Sequence, residues 1–510
     1  MSASESEIAA ALGEPVEIVH THASMVFLGA TRVYKVKKPV DFGFLDYSSL
    51  GKREAMCRAE VELNRRLAPD VYLGVVPITD EGDRLALDGD GPTIEWAVLM
   101  RRLPESACWS SMLARGALTP AHMRMLGQRL AAFHRTAKRG PEIAAHARFV
   151  EVAQACRDNF TALADFDAAL VERLRGATER ALAAGRALLE ARVHAGIPCE
   201  LHGDLRLEHV YDVGGDAHVD DLRIVDCVEF SDALRCGDPV SDIAFLAMDL
   251  RMHGGWALAD ALVESWLSSD PEAHALLPLF CAYRSAVRAK VRALQGDEAR
   301  ARGHLLLAIA ELAPPDERPC LVLVAGLPGT GKSRLADDLA SHARLEWIRA
   351  DAVRKQLAGI DVHASGKAAV EGGIYTKSWN DRTYGECLAR AEAILARGGR
   401  VLVDASFKEE RRRSELVELA QRMGARVRIL VCSAPAEVVR TRLADRGDDP
   451  SDADFGIYQH ALRTWEPFAD ATRALVATID TARPHDATVA HALAQLRDAG
   501  VLAPANALAA

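Results

Sequence analysis

The feature that most constrains the fold of this chain is a glycine-rich segment between an apolar run and an amphipathic one. Residues 321–333 read Leu-Val-Leu-Val-Ala-Gly-Leu-Pro-Gly-Thr-Gly-Lys-Ser, so the pattern G-x-x-x-x-G-K-S follows five apolar residues directly. The apolar run predicts a buried strand, and segment 334–340 predicts a helix because its leucines and alanines recur at helical spacing. Backbone N–H groups in such a turn, together with the helix N-terminus, can surround a polyphosphate. The segment therefore predicts a nucleotide-binding loop, with a structural glycine turn as the alternative.

Two side chains of this loop carry the predicted chemistry. Lys332 can reach the β- and γ-phosphates of a nucleotide, and the Ser333 hydroxyl can ligate Mg²⁺. ATP and Mg²⁺ are therefore the expected cofactors. The predicted nucleotide-contacting residues are Gly326, Pro328, Gly329, Thr330, Gly331, Lys332 and Ser333.

The chain has 510 residues, more than one hydrophobic core usually supports. Prolines and charges at 313–319 predict a linker, 313–318, between a domain at 1–312 and a domain at 319–510. Before the linker, the pattern predicts short strands within 15–103 around a helix near 50–67, helices at 119–197, a loop-rich segment at 199–240 and helices to about 312. After it, apolar strands are predicted at 320–325, 346–349, 400–404, 426–432 and 474–479. Their alternation with helices is typical of a parallel sheet covered by helices on both faces.

Composition argues against several classes of protein. The 62 basic and 72 acidic residues give a net charge of −10, so the positive bias expected of a protein that binds polymeric nucleic acid is missing. No run approaches the roughly 18 apolar residues that span a bilayer, and the N-terminal residues lack the pattern of a signal peptide. The ten scattered cysteines contain no C-x-x-C, which predicts reduced thiols in the cytoplasm and no zinc cluster. No obligate protein partner is inferred.

A second chemical signal lies at 199–242. His202-Gly-Asp-Leu-Arg-Leu-Glu-His209 is similar to the catalytic loop H-x-D-L-x-x-x-N of kinase-fold enzymes, and Ile224-Val-Asp226 ends a short apolar run. Gly237-Asp-Pro-Val-Ser-Asp-Ile-Ala resembles a stretch typical of aminoglycoside phosphotransferases. Near the N-terminus, Thr21-His-Ala-Ser-Met-Val-Phe and Val33-Tyr-Lys-Val-Lys-Lys-Pro-Val-Asp-Phe-Gly carry a further resemblance.

Together these segments resemble a bacterial family of uncharacterised two-domain proteins. In that family an aminoglycoside-phosphotransferase-like domain precedes a P-loop domain of the AAA, polynucleotide-kinase or gluconate-kinase type. The resemblance implies α/β and α+β architecture: a bilobal, protein-kinase-like fold with a small lobe at about 15–103 and a large lobe at about 104–312, followed by a P-loop NTPase fold.

The resemblance also implies roles within the first domain. Asp204 would orient a substrate hydroxyl or accept its proton, and Arg206 would place a cation near the transferred phosphate. Asp226 would hold Mg²⁺. The second metal ligand, normally Asn, is His209, and this departs from the family because imidazole is a poor ligand for a hard ion.

Lys35 would contact the α- and β-phosphates and pair with Glu60 on the predicted helix. Residues 98–103 would form the hinge that receives the adenine. No glycine-rich loop precedes this lysine, which is a second departure. Lys37 or Lys38 could be the functional lysine instead, and Lys35 and Lys37 are expected to share one strand face.

The second domain carries its own acceptor-side motif. Ile348-Arg-Ala-Asp351-Ala-Val-Arg354 resembles a segment of small P-loop kinases, including polynucleotide kinases. By that resemblance Asp351 would act as base toward an acceptor hydroxyl, and Arg354 would hold the phosphate or the acceptor. A helix N-cap is the other interpretation of Asp351. Asp404 follows an apolar strand and is expected either to organise Mg²⁺ through water or to serve a structural role.

Several charged residues remain. Arg442 and Arg446 lie four apart and resemble a lid that closes over ATP, with surface arginines as the alternative. Arg411–Arg413 is expected to be a solvated run. In the first domain, Arg284, Arg288 and Arg292 are expected to form a solvated stripe, with a phosphate site as the alternative. Asp238 and Asp242 are expected to hold the loop or cap a helix.

The sequence therefore predicts an ATP-dependent phosphotransferase with two nucleotide sites and an acceptor hydroxyl on a small molecule or nucleotide-type compound. The alternative is a P-loop kinase or NTPase whose first domain binds a ligand without catalysis. That alternative includes a toxin-like kinase that the first domain restrains.

Overall fold

Two large β-sheets of different kinds, one antiparallel and one parallel, organise the chain into a mixed α/β structure. The computed structural model describes residues 4–43, 45–214, 218–361, 374, 376–444 and 455–503. Unit 1 comprises Met1–Ala155, Leu182–Leu250 and Ala257–Arg284, and unit 2 comprises Cys156–Ala181, Arg251–Trp256 and Ser285–Ala510. The domain boundary at 313–318 stays a prediction.

The strands are β1 (Glu17–His20), β2 (Ser24–Leu28), β3 (Arg32–Lys37), β4 (Tyr72–Asp80), β5 (Leu85–Leu87), β6 (Thr93–Arg101), β7 (Cys199–Glu200), β8 (Val210–Asp212), β9 (Leu222–Ile224), β10 (Cys236–Gly237), β11 (Cys320–Gly326), β12 (Glu346–Arg349), β13 (Arg400–Asp404), β14 (Arg426–Ser433) and β15 (Val476–Asp480).

The helices are α1 (Glu5–Ala11), α2 (Leu50–Asn64), α3 (Trp109–Ala114), α4 (Pro120–Thr136), α5 (Pro141–Ala145), α6 (Phe149–Ala162), α7 (Ala168–His194), α8 (Asp232–Arg235), α9 (Val240–Met252), α10 (Trp256–Leu267), α11 (Leu277–Leu294), α12 (Glu298–Leu312), α13 (Lys332–His342), α14 (Ala350–Leu357), α15 (Lys377–Ala396), α16 (Glu410–Arg422), α17 (Ala436–Ala444), α18 (Phe455–Arg463), α19 (Asp470–Arg473) and α20 (His485–Asp498). Within the described ranges, no helix combines the length and apolar character needed to cross a bilayer.

The sheet of unit 1 is antiparallel, with strand order β1-β2-β3-β6-β4-β5. Because side chains alternate along a strand, β3 presents two different faces. Tyr34 and Val36 enter a core with Ile8 of α1. Lys35 and Lys37 lie on the opposite face, where both reach a side chain of α2. The prediction that these two lysines share a face is confirmed.

Two short antiparallel pairs, β7 with β10 and β8 with β9, hold the loops that follow them in unit 1. The loops at 201–209 and 225–229 run side by side. The N–H of Val225 donates to the carbonyl of His209 at 2.9 Å, and the N–H of Val228 donates to the carbonyl of His202 at 3.1 Å. The loop-rich segment predicted at 199–240 is therefore tied together by backbone hydrogen bonds.

The sheet of unit 2 is parallel, with strand order β12-β13-β11-β14-β15. All five predicted strands are present. β11 is buried along its whole length, as expected for the central strand of a sheet covered on both faces. Val322 and Val324 pack with α13 and α20 in one core, and α15 and α16 also pack on the sheet. Strand β11 thus delivers the glycine-rich segment to the middle of the sheet edge.

Two expectations about arginines are wrong. Arg413 is fully buried and donates to the carbonyls of Phe407, Glu466 and Pro467 at 2.8–3.0 Å. Arg412 is also buried, where it pairs with Asp381, and only Arg411 of this run is exposed. Buried carbonyls need donors, and a guanidinium supplies several, so Arg413 joins loops of unit 2 instead of facing water.

Arg284 was expected on a solvated face but is buried as well. Its guanidinium donates to the Ser241 hydroxyl at 3.0 Å and lies over the Phe245 ring. Helical spacing alone does not distinguish a solvated stripe from one in which the first member reaches into the core.

We predict that Arg413→Ala lowers the free energy of unfolding of unit 2 by about 3–5 kcal/mol, the cost of removing one partner from a buried charged network. Arg411→Ala is the matched control, because an exposed arginine contributes about 0.5 kcal/mol or less. Calorimetric unfolding of the full chain measures both. Equal stability of the two variants would contradict the prediction.

Candidate active sites

The glycine-rich loop of unit 2 depends on backbone conformations that favour glycine. Gly326, Gly329 and Gly331 have φ angles of +142°, +79° and +83°. A Cβ on Gly329 would lie 2.8 Å from Cγ1 of Val439, so packing excludes a side chain there as well. The helix α13 begins at Lys332, immediately after the last glycine. The loop therefore ends at a helix N-terminus, where N–H groups can bind an anion.

Lys332 lies within this loop. Its ammonium donates to the carbonyl of Leu327 at 3.0 Å, and the Thr330 hydroxyl donates to the same carbonyl at 2.7 Å. The lysine is thus held over the turn by the loop's own backbone. A bound phosphate oxygen would take the place of the Leu327 carbonyl as the acceptor for the Lys332 ammonium.

Asp404 lies at the carboxyl end of β13, opposite Val324 in the parallel register. Its carboxyl is buried. Burial raises the pKa of Asp404, although the Lys332 charge and the neighbouring Ser333 hydroxyl oppose the shift. A hydroxyl and a carboxylate are hard oxygen donors, so this pair fits Mg²⁺.

Asp351 lies in the first turn of α14, which directly follows β12. Its charge is close enough to Asp404 to raise the pKa of that carboxyl further. Arg354, one turn later, is buried and donates to the carbonyl of Ile374 at 2.9 Å. The structure therefore brings Asp351 near Asp404 at the P-loop, whereas the Arg354 guanidinium is engaged by the backbone carbonyl of Ile374.

Arg442 also lies beside the P-loop. It donates to the hydroxyl and carbonyl oxygens of Thr481 at 3.3 and 2.6 Å, and the Thr481 hydroxyl donates to the carbonyl of Thr330 at 2.7 Å. A Cβ on Gly331 would lie 3.4 Å from Nη1 of Arg442. Sequence reasoning missed Thr481, although its position after β15 at the same sheet edge was a usable signal. Arg446 lies outside the described residues.

A second constellation lies in unit 1. The Lys35 ammonium donates to Glu60 at 2.9 Å and to Oδ1 of Asp226 at 2.7 Å. Burial lowers the pKa of Lys35, but these two carboxylates outweigh burial and raise it well above its ordinary value. The predicted partner Glu60 is fully buried. Residues 98–103, the predicted hinge, fall at the end of β6 and just after it.

Glu60 also holds a second lysine. The Lys37 ammonium donates to the other oxygen of Glu60 at 2.8 Å, contacts Glu229 and lies 3.3 Å from the Tyr47 hydroxyl. Tyr47 in turn donates to Glu229 at 2.7 Å. Sequence reasoning missed Glu229 and Tyr47, because 192 residues separate Lys37 from Glu229. Lys38, the other lysine considered, is half-buried and donates to the carbonyl of Thr21 at 2.5 Å.

The loop at 201–209 is held from below by Asp242. Its carboxylate accepts the N–H groups of His202 and Gly203 at 2.9 Å each and contacts Nε2 of His134 at 3.2 Å. Gly203 has a φ of +88°, and a Cβ there would lie 2.8 Å from the carbonyl oxygen of Leu234. The loop-holding role expected for Asp242 is confirmed.

Asp204 is fixed by its neighbour in the same loop. Arg206 donates to both of its oxygens, at 3.1 and 2.9 Å. Burial raises the pKa of Asp204, but Arg206 and His209 outweigh burial and hold it below its ordinary value. The carboxylate is thus ionised and oriented, as a group that accepts a hydrogen bond from a hydroxyl must be.

His209 lies between Asp204 and Asp226. Its Nδ1 is 2.7 Å from the carbonyl oxygen of Asp204, and its Nε2 is 3.6 Å from Oδ2 of Asp226. Asp226 has a φ of +64°, uncommon for a residue with a side chain, and its N–H donates to the Tyr72 hydroxyl at 3.0 Å. One carboxylate with one imidazole does not fit Mg²⁺, which prefers oxygen ligands.

A family model matches part of the chain. Residues 321–468 match the family described as the AAA domain. Uncharacterised proteins of Mycobacterium tuberculosis and Mycobacterium bovis are each 29% identical over 490 residues, which cover 94% of both chains. The family match begins in β11 and ends after α18, so it includes the P-loop, Asp351, Asp404 and Arg442.

Solved structures of kinases are similar at lower identity. A sugar kinase from Janibacter sp. HTCC2649 is 22% identical, with a TM-score of 0.29, and the match covers 36% of this chain and 99% of that one. A gluconokinase from Sinorhizobium meliloti 1021 is 21% identical, with a TM-score of 0.27 and coverage of 36% and 93%. A choline/ethanolamine kinase family protein from Mesorhizobium loti is 16% identical, with a TM-score of 0.40 and coverage of 61% and 92%.

We predict that Glu60→Gln lowers the free energy of unfolding of unit 1 by about 3–5 kcal/mol, because two buried ammonium groups lose their shared carboxylate. Hydrogen exchange of α2 and β3 in the full chain measures the effect locally. The matched control is Glu62→Gln on the same helix, where the side chain is exposed. Unchanged protection in Glu60→Gln would show that the shared pair does not stabilise this unit.

Proposed function

We propose that this protein is an ATP-dependent phosphotransferase whose P-loop unit transfers the γ-phosphoryl group to a hydroxyl of a small-molecule or nucleotide-type acceptor. The observation that carries the proposal is the cluster of Lys332, Ser333, Asp351 and Asp404 at the carboxyl edge of one parallel sheet. Cation, hydroxyl and carboxylates together are what phosphoryl transfer to a hydroxyl requires. The AAA-domain match over the same residues supports nucleotide binding.

In this mechanism the loop N–H groups and Lys332 bind the phosphates of ATP and orient the triphosphate. Mg²⁺, held by Ser333 and Asp404, would neutralise phosphate charge. Asp351 accepts the proton of the acceptor hydroxyl as its oxygen bonds to the γ-phosphorus. The bond from that phosphorus to the bridging oxygen breaks, and ADP leaves. Arg442, anchored beside the loop, faces the charge that develops on the leaving oxygen.

Unit 1 supplies a second candidate nucleotide site, made of Lys35, Glu60, Asp226 and Asp204. The ion pair of Lys35 with Glu60 and the ionised, oriented Asp204 favour phosphoryl transfer there too. His209 favours the other candidate function, a module that binds a nucleotide or another ligand without transferring phosphate. The two functions differ in whether Asp204 is needed for turnover.

The first test measures ATP turnover across a panel of hydroxyl acceptors. Lys332→Ala should lower kcat/KM by about 10²–10³-fold, because the substitution removes the preorganised positive charge that binds the transferred phosphate. Arg334→Ala, at an exposed position two residues away on α13, is the control and should retain activity. Asp351→Asn should lower kcat with little change in the affinity for ATP. Wild-type turnover in Lys332→Ala would refute the proposal for this unit.

The second test counts nucleotide sites by calorimetry and then asks whether unit 1 turns over. Wild type should bind two nucleotides, and Lys332→Ala and Asp226→Ala should each bind one. Any turnover left in Lys332→Ala should disappear when Asp204→Asn is added, because Asp204 is the only acid proposed as base at that site. Residual turnover that survives Asp204→Asn would favour the non-catalytic module.

A further inference from the structure

The tautomer of His209 follows from its contacts. Nδ1 lies 2.7 Å from the carbonyl oxygen of Asp204, and a carbonyl only accepts, so Nδ1 carries the proton and donates. In the neutral ring the lone pair is then on Nε2, the nitrogen nearest Oδ2 of Asp226. Metal-binding histidines are oriented in the same way, by donating the remote N–H to a fixed acceptor.

The separation of these two atoms suits a shared ion. Nε2 of His209 and Oδ2 of Asp226 are 3.6 Å apart. Two donors bound to one ion at about 2.1 Å lie roughly 3.0–3.4 Å apart for octahedral or tetrahedral angles. Closing the difference needs only a small side-chain rotation. Lys35 bonds the other oxygen, Oδ1, and leaves Oδ2 facing the imidazole.

Arg206 is a neighbouring cation that is already paired with carboxylates. Its Nη2 makes a long hydrogen-bond contact of 3.5 Å with Nε2 of His209, which an ion at Nε2 would displace, and its guanidinium keeps its pair with Asp204 at 2.9 Å and its contact with Glu208. Two carboxylates therefore balance its charge, and a divalent ion at Nε2 meets less repulsion than a lone arginine would produce.

We propose that the nucleotide site of unit 1 takes a first-row divalent transition ion in preference to Mg²⁺, and Mn²⁺ is the paramagnetic member of that series used to test it. His209 Nε2 and Asp226 Oδ2 are the protein ligands, and phosphate oxygens and water complete the shell. Imidazole binds such ions more strongly than it binds a hard ion. Among the described residues no group of three or more His, Cys, Asp or Glu side chains is arranged to hold a metal alone, so phosphates are needed. The inference rests on the proposed nucleotide site in unit 1.

Pulsed electron paramagnetic resonance of Mn²⁺ reads the ligand directly. The sample is full-length Lys332→Ala with Mn²⁺ and β,γ-methylene ATP, whose phosphate chain contains no nitrogen. We expect ¹⁴N modulation from a directly bound imidazole. Labelling the histidines with ¹⁵N should replace the ¹⁴N modulation by a ¹⁵N signal. This control leaves every residue of the loop at 201–209 unchanged. The variant His209→Asn should abolish it.

Calorimetry gives the selectivity in the same samples. The ratio of the nucleotide affinity with Mn²⁺ to that with Mg²⁺ should fall about tenfold or more in His209→Asn, because the amide oxygen is a hard ligand. The ratio is compared between Lys332→Ala with His209 and Lys332→Ala with His209→Asn. The comparison cancels the intrinsic preference of the nucleotide for one ion over the other. Thermal unfolding verifies that His209→Asn is folded.

The outcomes separate the two hypotheses. If Lys332→Ala binds no nucleotide with either ion, the proposed nucleotide site of unit 1 is wrong. If nucleotide binds but no ¹⁴N modulation is seen and the affinity ratio is the same in both chains, only the metal assignment is overturned. A ¹⁴N signal that persists in His209→Asn would overturn it as well, since another nitrogen would be the ligand.

Discussion

Buried charge that is held by an opposite charge is the interaction on which both candidate sites depend. An ammonium or carboxylate taken out of water is costly unless a partner is fixed beside it. In unit 1, Glu60 divides its two oxygens between Lys35 and Lys37, so helix α2 and strand β3 cannot separate without exposing three charges. In unit 2, the Lys332 charge and the Ser333 hydroxyl favour the ionised form of the buried Asp404 carboxyl, although burial outweighs them and raises its pKa.

This constraint also places the reactive groups. Because Lys35 is bonded to both Glu60 and Asp226, the helix, the strand and the loop after β9 are fixed relative to one another within unit 1. The contact of Lys37 with Glu229 adds a second tie between the strand and that loop. Asp226 has a strained backbone with a φ of +64°. The contacts of Lys35 and Lys37 and the hydrogen bond to Tyr72 stabilise this conformation, so the Asp226 carboxylate keeps one orientation.

Local patterns in the sequence were sufficient for the parts of the structure that are themselves local. The five parallel strands were predicted because each is an apolar run bounded by turns, and the P-loop because its glycines follow one of them. The pairing of Lys35 with Glu60 was expected only through a family resemblance. Glu229 could not be found in this way, since nothing in a sequence connects residues almost two hundred positions apart. Arg413 was misjudged because a run of three arginines is typical of a solvated surface, whereas loop carbonyls decided its position.

The two sites differ most in the atoms they offer to a metal ion. Ser333 and Asp404 present oxygen alone, whereas His209 and Asp226 present a nitrogen and an oxygen. Ligand type governs which divalent ion each site favours, so the two sites need not share a metal even though both are proposed to bind a nucleotide. The nitrogen on offer is Nε2 of His209, because Nδ1 is engaged by the Asp204 carbonyl and Nε2 has only the long hydrogen-bond contact with Arg206. We therefore interpret His209, which stands where the similar kinase motif has Asn, as a change of metal at the proposed site and not as loss of that site.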